Sequence, residues 1–398
     1  MTMKKEQQST DISEIQNTLR RIYEDMESTL SRYEDEGNQM PDSPETDPLP
    51  ATEPDGIALG DDSVQDAPKE QLSSDEVYDM SLSFDKDHEM LAAIKGEVAK
   101  AIIGYEDVVE DIAVALLAGG HVLIEGYPGV AKTTLAKAFT KALGISYNRL
   151  QFTPDMLPQD VTGHYYFNQK TNEFEVRKGP VFTNILLADE INRTTPKTQS
   201  ALLEAMQERQ VTIEGRTFFL EEPFMVIATT NPIETEGVYS LPLAQADRFT
   251  FKLEMGYLGK EKELDILRMK TTGEKEISTL FRRTDYLMLR TAYREVFVDD
   301  SILSYIRDIV YETRSSPMFS IGASPRAGEM ILKTAKARAC LRRRDYVIPD
   351  DVKYVCRLAL RHRLLPSPEY AEDSLGIDTL IERLITQVAV PLMQGKGP

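Results

Sequence analysis

The spacing of apolar positions changes along the chain, and the changes divide it. Over residues 9–33, Ile12, Ile15, Leu19, Ile22, Met26 and Leu30 recur at alternating three- and four-residue steps, a narrow stripe that predicts an amphipathic helix. The stripe suits either a helix on the protein's own surface or a short coiled coil or docking helix. Residues 34–82 then lose apolar content and fill with Asp, Glu, Pro, Ser and Gly. Such a stretch cannot offset its ordering entropy, and a disordered acidic linker is expected. Helical stripes resume at Met90, Leu91, Ile94 and Val98, and again from Val108 to Leu117.

From there, short buried strands alternate with helices. Segments 121–125, 147–152, 185–188, 224–228 and 249–253 read as strands, with 185–188 a continuous apolar run as a buried parallel strand should be. Helices are expected at 133–143, closed by Gly144, and from Pro196, with Ala201, Leu202, Ala205 and Met206 inward. Alternating segments around Lys170-Thr171-Asn172 and Glu214-Gly215-Arg216 predict two hairpins. After Gly259 the period is helical throughout: 260–272, 284–295, 299–314, 325–343, 349–361 and 375–388. The expected division is an amphipathic helix in 1–34, an acidic linker in 35–83, an α/β domain in 84–256 and a helical domain in 257–398.

Charge sharpens this division. The formal net charge is −19, but residues 1–84 hold 21 acids and 6 bases, so −15 of it lies there. The rest of the chain is nearly balanced, and the acidity describes a tail rather than the partners of the core. Two cysteines, Cys340 and Cys356, make no disulfide framework and point to a reducing compartment. No apolar run reaches the roughly 18 residues that span a bilayer. Met1–Gln8 has no apolar core of a secretory signal. A cytoplasmic address without direct membrane insertion is expected.

The chemistry concentrates at the carboxyl ends of the predicted strands. Gly126-Tyr127-Pro128-Gly129-Val130-Ala131-Lys132-Thr133-Thr134 lies between a buried strand and a helix, the layout of a phosphate-binding loop. Its backbone amides would face phosphate oxygens, Lys132 would reach the terminal phosphates and Thr133 would hold Mg²⁺. Ala131 occupies a position where the generic loop has Gly, so its Cβ must fit the loop's dihedrals. Asp189-Glu190 follow the apolar run 185–188, where open α/β sheets bind ligands. Asp189 suits Mg²⁺ and Glu190 suits a base for the attacking water. Asn231 ends a further strand and could orient that water. Arg248 and Arg326 are placed to stabilise developing charge. The four histidines show no metal-ligand spacing, and both cysteines read as packed thiols. Arg342-Arg343-Arg344 and Arg361-His362-Arg363 read as helix residues facing solvent or a neighbour. They lack interleaved aromatics, so nucleic-acid binding is the minority reading.

Together these residues resemble the AAA+ ATPases and, within them, the MoxR family. The resemblance covers about residues 85–395. Beyond the loop, it rests on Leu187-Ala188-Asp189-Glu190-Ile191-Asn192-Arg193-Thr194, Leu203-Glu204-Ala205-Met206-Gln207-Glu208, Asn231-Pro232-Ile233-Glu234 and Ala323-Ser324-Pro325-Arg326. Ala before the lysine is usual in that family. The resemblance implies an AAA+ P-loop domain with a parallel sheet flanked by helices, followed by a small all-helical lid. It implies a homo-oligomeric, hexameric ring binding ATP and Mg²⁺ at subunit interfaces. It makes Lys132 and Thr133 the Walker A pair, Asp189 and Glu190 the Walker B pair, Asn231 sensor 1 and Arg326 sensor 2. Arg248 becomes the arginine finger, with Arg193 a weaker candidate in trans. Gly104 falls in the segment near the adenine, and the two hairpins correspond to insertions near the ring pore. Leu243 departs from the Glu usual there. The family is similar to chaperone-like remodelling ATPases that work with proteins carrying a von Willebrand factor A domain. Two alternatives stand beside that reading: a nucleotide-gated scaffold with little turnover, and a DNA motor of related ring architecture.

Overall fold

The computed structural model describes residues 87–233, 237–273, 275–372 and 376–391. The stripe at 9–33 and the acidic stretch 34–82 lie outside them. The described chain opens with α1 (Asp87–Val98) and α2 (Glu106–Leu117). Next come β1 (Val122–Gly126), α3 (Lys132–Leu143), β2 (Tyr147–Gln151) and a short α4 (Pro158–Thr162). A hairpin of β3 (Gly163–Asn168) and β4 (Glu173–Lys178) leads to β5 (Ile185–Asp189) and α5 (Pro196–Glu208). A second hairpin, β6 (Gln210–Ile213) and β7 (Arg216–Phe219), leads to β8 (Met225–Thr230), α6 (Leu243–Ala246) and β9 (Phe251–Met255).

β1, β2, β5, β8 and β9 form one parallel sheet in the order β2-β5-β8-β1-β9. Period-two alternation sends successive side chains to opposite faces. On one face Val122, Ile124, Ile185, Leu187, Met225 and Ile227 join a core with α1, α2 and α3. On the other, Leu123, Leu186, Ala188, Val226 and Ala228 pack with Leu202, Leu203, Ala205 and Met206 of α5. A sheet covered on both faces needs apolar residues at consecutive positions, which is why β5 reads as an unbroken run.

His121 sits buried at the entry to β1. Its Nδ1 accepts from the Val226 amide at 2.9 Å and its Nε2 meets the Met206 carbonyl at 3.0 Å, so the ring is a neutral connector between β8 and α5. Burial pushes its pKa down to about 4.

The remainder is helical apart from one small antiparallel pair of strands. α7 (Lys260–Thr272) and α8 (Arg283–Glu295) precede α9 (Asp300–Ser315) and β10 (Phe319–Ile321). α10 (Pro325–Leu341), α11 (Pro349–Leu360), β11 (Leu365–Pro366), α12 (Pro368–Glu372) and α13 (Ile377–Gln387) complete it. These helices share a continuous apolar core with the sheet face: α10 packs on α2, and α11 packs on both α10 and β9. Among the described residues no helix is long and apolar enough to cross a membrane.

Two expectations change. The last strand begins at Phe251, not Phe249, because Phe249 and Thr250 belong to a turn held by side chains of the C-terminal helices. The run Arg361-His362-Arg363 does not face solvent: all three are buried, at 9%, 7% and 2% exposure. Arg344 is likewise engaged, with both terminal nitrogens on the buried Asp351. The cysteines are free and buried, and burial pushes the Cys356 thiol up.

The α2–α11 contact contains one costly charge. Asp111 is buried and accepts from the Tyr354 hydroxyl at 2.8 Å. Burial, against that hydrogen bond, pushes its carboxyl up to about 7 from an ordinary 3.8. The fold therefore favours the protonated acid. The stability this lends is full below the ordinary pKa and is lost as pH rises towards about 7, at roughly 1.4 kcal/mol per pH unit. The denaturation midpoint of the native protein should fall between mildly acidic and mildly alkaline pH, and that of Asp111→Asn should fall less. Parallel pH profiles for the two proteins would contradict the raised pKa.

Candidate nucleotide-binding site

The loop after β1 has the backbone of an anion cradle. Gly129 and Ala131 both take left-handed conformations, with φ of 82° and 65°. Ala131 is the residue before α3 and offers no side-chain cap to it. First-turn amides of a helix have no intrahelical acceptor, so an uncapped start suits an anion. Gly126 is required by packing: a Cβ there would lie 2.7 Å from the Met255 carbonyl. Lys132 donates to the carbonyls of Gly126 at 2.7 Å and Thr230 at 3.1 Å, bridging the ends of β1 and β8.

The two acids stand at the end of β5, next to the loop. The Thr133 hydroxyl lies 3.4 Å from Asp189 Oδ2. Thr229 donates to Asp189 Oδ1 at 2.6 Å and accepts from the Glu190 amide at 2.9 Å. Glu190 has a left-handed φ of 56°, the bend that turns it out of the strand. Asn231 is buried after β8 and its Oδ1 accepts from the Ile233 amide at 3.2 Å. A hydroxyl beside a carboxylate is a hard-oxygen pair of the kind Mg²⁺ takes, and the uncapped cradle fits a polyphosphate. Thr133 and Asp189 would hold the metal, and the Gly126–Thr134 loop the phosphates.

Several contributors carry no motif. Arg149 of β2 donates from Nε and Nη2 to Asp189 Oδ2, at 3.2 and 2.8 Å. Gln151, two residues on, donates to Glu190 Oε2 at 2.6 Å, and Arg193 pairs with that same oxygen at 2.9 Å. Arg193 thus contacts an acid of its own chain. Thr229 is a third contributor. Polar residues on an edge strand usually read as protection against aggregation, so the sequence gives Arg149 and Gln151 no functional signal.

Gly104, expected near the adenine, packs closely against the segment after β9. Its φ is 91°, and a Cβ would lie within 2.9 Å of Leu258 and Lys262 side-chain carbons. The neighbouring Tyr105 hydroxyl donates to the Gly256 carbonyl at 2.8 Å, and burial raises its pKa. Tyr127 of the loop stacks on Tyr257, with centroids 4.9 Å apart and planes 11° from parallel.

Neither candidate arginine pairs with the acids. Arg248 follows α6 and borders a polar cleft lined by Glu204, Gln207, Glu208 and Gln245. Arg326 lies in the first turn of α10. Neither side chain makes a hydrogen bond or ion pair among the described residues. Leu243 opens α6 and is partly exposed.

Residues 121–251 match the ATPase family associated with various cellular activities (AAA), and residues 311–384 match the AAA lid domain. Over 309 residues the chain is 44% identical to the uncharacterised protein YeaC of Bacillus subtilis, covering 77% of this chain and 97% of that one. It is 43% identical over 304 residues to the chaperone MoxR1 of Mycobacterium tuberculosis, covering 74% and 81% respectively. The chain belongs to the MoxR family of AAA+ ATPases. A solved Cytophaga hutchinsonii protein assigned as an ATPase has the same fold, with a TM-score of 0.74 at 36% identity over 80% of this chain and 99% of that one. The five-stranded parallel sheet and its following helices are the AAA+ P-loop fold with its lid.

Two substitutions probe this geometry. Ala131→Gly should raise stability by up to about 1 kcal/mol, since left-handed alanine costs about 1–2 kcal/mol and added chain entropy returns part of that. Equilibrium urea unfolding would read it, and a loss of stability would show that the Ala131 methyl is a needed contact. Thr229→Val keeps the shape but strands the Glu190 amide and one oxygen of Asp189; a loss of about 1–3 kcal/mol is expected in the same measurement.

Proposed function

We propose that this protein couples Mg-ATP hydrolysis in an oligomeric, hexameric ring to chaperone-like remodelling or maturation of a partner protein. The observation that carries the reading is the convergence of Lys132, Thr133, Asp189, Glu190 and Asn231 at the carboxyl ends of β1, β5 and β8. The chaperone name of the mycobacterial relative supports the remodelling half. A partner with a von Willebrand factor A domain, and a cytoplasmic address, complete the reading.

Bound Mg²⁺ would neutralise phosphate charge and orient the terminal phosphate for in-line attack. The loop amides and Lys132 bind and align the phosphates. Thr133 and Asp189 would hold the metal, with Asp189 Oδ2 giving up its Arg149 partner. Glu190 accepts the proton of the attacking water, with Asn231 orienting that water. Its Oε2 can take that proton only once Gln151 and Arg193 have released it. Arg326 reads the chain's own nucleotide, and Arg248 acts on the neighbour's.

That engagement of Glu190 also favours the second reading, a nucleotide-gated scaffold, because a carboxylate tied at 2.6 and 2.9 Å is a poor base until released. Glu190→Gln separates the two. In a hydrolase it should retain ATP, change the oligomeric state and lower turnover by roughly 10²–10⁴-fold. In a scaffold it should change little. Absence of Mg²⁺-dependent phosphate release that Lys132→Ala abolishes, at ring-forming concentration and with partner-dependent activation excluded, would refute the hydrolase reading.

A further inference from the structure

We propose that Arg363, acting with Asp247, is a positioning residue for Arg248. The inference rests on the reading of Arg248 as the group that reaches a neighbour's ATP.

Arg363 follows α11 and is buried, at 2% exposure. Its Nη2 donates to the carbonyls of Asp247 at 2.8 Å and Phe249 at 2.7 Å, the residues on either side of Arg248. Its Nε donates to Asp247 Oδ1 at 2.6 Å. Its Nη1 reaches the Thr250 carbonyl at 3.2 Å and the Ala359 carbonyl of α11. His362 adds a contact from Nε2 to the Phe249 carbonyl at 2.9 Å. One planar guanidinium thus fixes the chain before and after Arg248.

The Arg248 side chain has no polar partner of its own among the described residues, so the backbone held by Arg363 is what sets the point from which it reaches. A buried cation is tolerated only when fully paired, and a partial loss of pairing costs several kcal/mol. Five directed donors also require arginine: an ammonium is a compact point charge that cannot span these acceptors together.

Asp247 carries the coupling further. Its second oxygen, Oδ2, accepts from the Ser324 hydroxyl at 3.2 Å. Ser324 precedes α10, two residues before Arg326. The carboxylate therefore joins the turn carrying Arg248 to the helix start carrying Arg326.

The test uses full-length chains in mixed assemblies. Arg363→Lys and Arg248→Ala chains keep their own ATP sites. Lys132→Ala chains cannot bind ATP but present an intact Arg248 held by an intact Arg363. Alone, Arg248→Ala should lose about 10³-fold or more in turnover, as loss of an arginine finger does. Arg363→Lys should lose roughly 10²-fold, as a misplaced group does, with KM and fluorescent ATP-analogue binding within about threefold of native. Admixed Lys132→Ala chains should restore turnover to both.

Native turnover by Arg363→Lys would overturn the proposal. So would rescue of Arg248→Ala without rescue of Arg363→Lys, which would mark Arg363 as a stabiliser of its own subunit. Failure to rescue Arg248→Ala would refute the finger reading itself, and the role of Arg363 with it. If Arg363→Lys lacks a cooperative thermal transition, Asp247→Asn, which keeps the volume and removes the charge, replaces it under the same outcomes.

Discussion

A carboxylate at the end of a buried strand is the constraint on which the nucleotide site depends. Asp189 closes a strand whose residues are all buried, and an unpaired charge there would cost more than the surrounding packing could offset. The neighbours of Asp189 answer that demand. Thr229 supplies a hydroxyl from β8, Arg149 a guanidinium from β2, and Thr133 a hydroxyl from the loop. Three elements distant in sequence therefore meet at one point at the carboxyl end of β5. The contacts that stabilise the charge also place it beside the phosphate cradle.

The same economy runs through the loop. Ala131 accepts a left-handed conformation that glycine would adopt freely, and Glu190 does so at the end of β5. Non-glycine residues in that region are uncommon and cluster where surrounding structure over-determines the backbone. Here the over-determination comes from Lys132 spanning two strand ends and from Thr229 holding the Glu190 amide. Both strained residues flank the positions proposed for phosphate and attacking water.

Much of this was legible in the sequence because it depends on local pattern. Apolar runs ending in a polar residue located β5 with Asp189 and β8 with Asn231, since a parallel strand buried on both faces leaves its functional group at the tip. The helix at 260–272 was recovered to the residue from its flanking glycines. What escaped depends on partners far along the chain. Arg363 meets Asp247 across 116 residues, and nothing local distinguishes it from a solvent-facing arginine beside Arg361. The same contact explains why Phe249 and Thr250, apolar or β-branched, form a held turn rather than the start of β9. Arg149 and Gln151 acquire meaning only through the register that sets Gln151 opposite Asp189.

The stacked pair Tyr127 and Tyr257 has a practical consequence. One ring belongs to the loop after β1 and the other to the segment just after β9, so their contact ties the loop to the end of that strand. The chain contains no tryptophan. Replacing Tyr257, 70% exposed, by tryptophan would give the whole protein a single indole emitter lying against the loop. Any rearrangement of that loop would then be visible as a change in emission, without a label and without background from the rest of the fold.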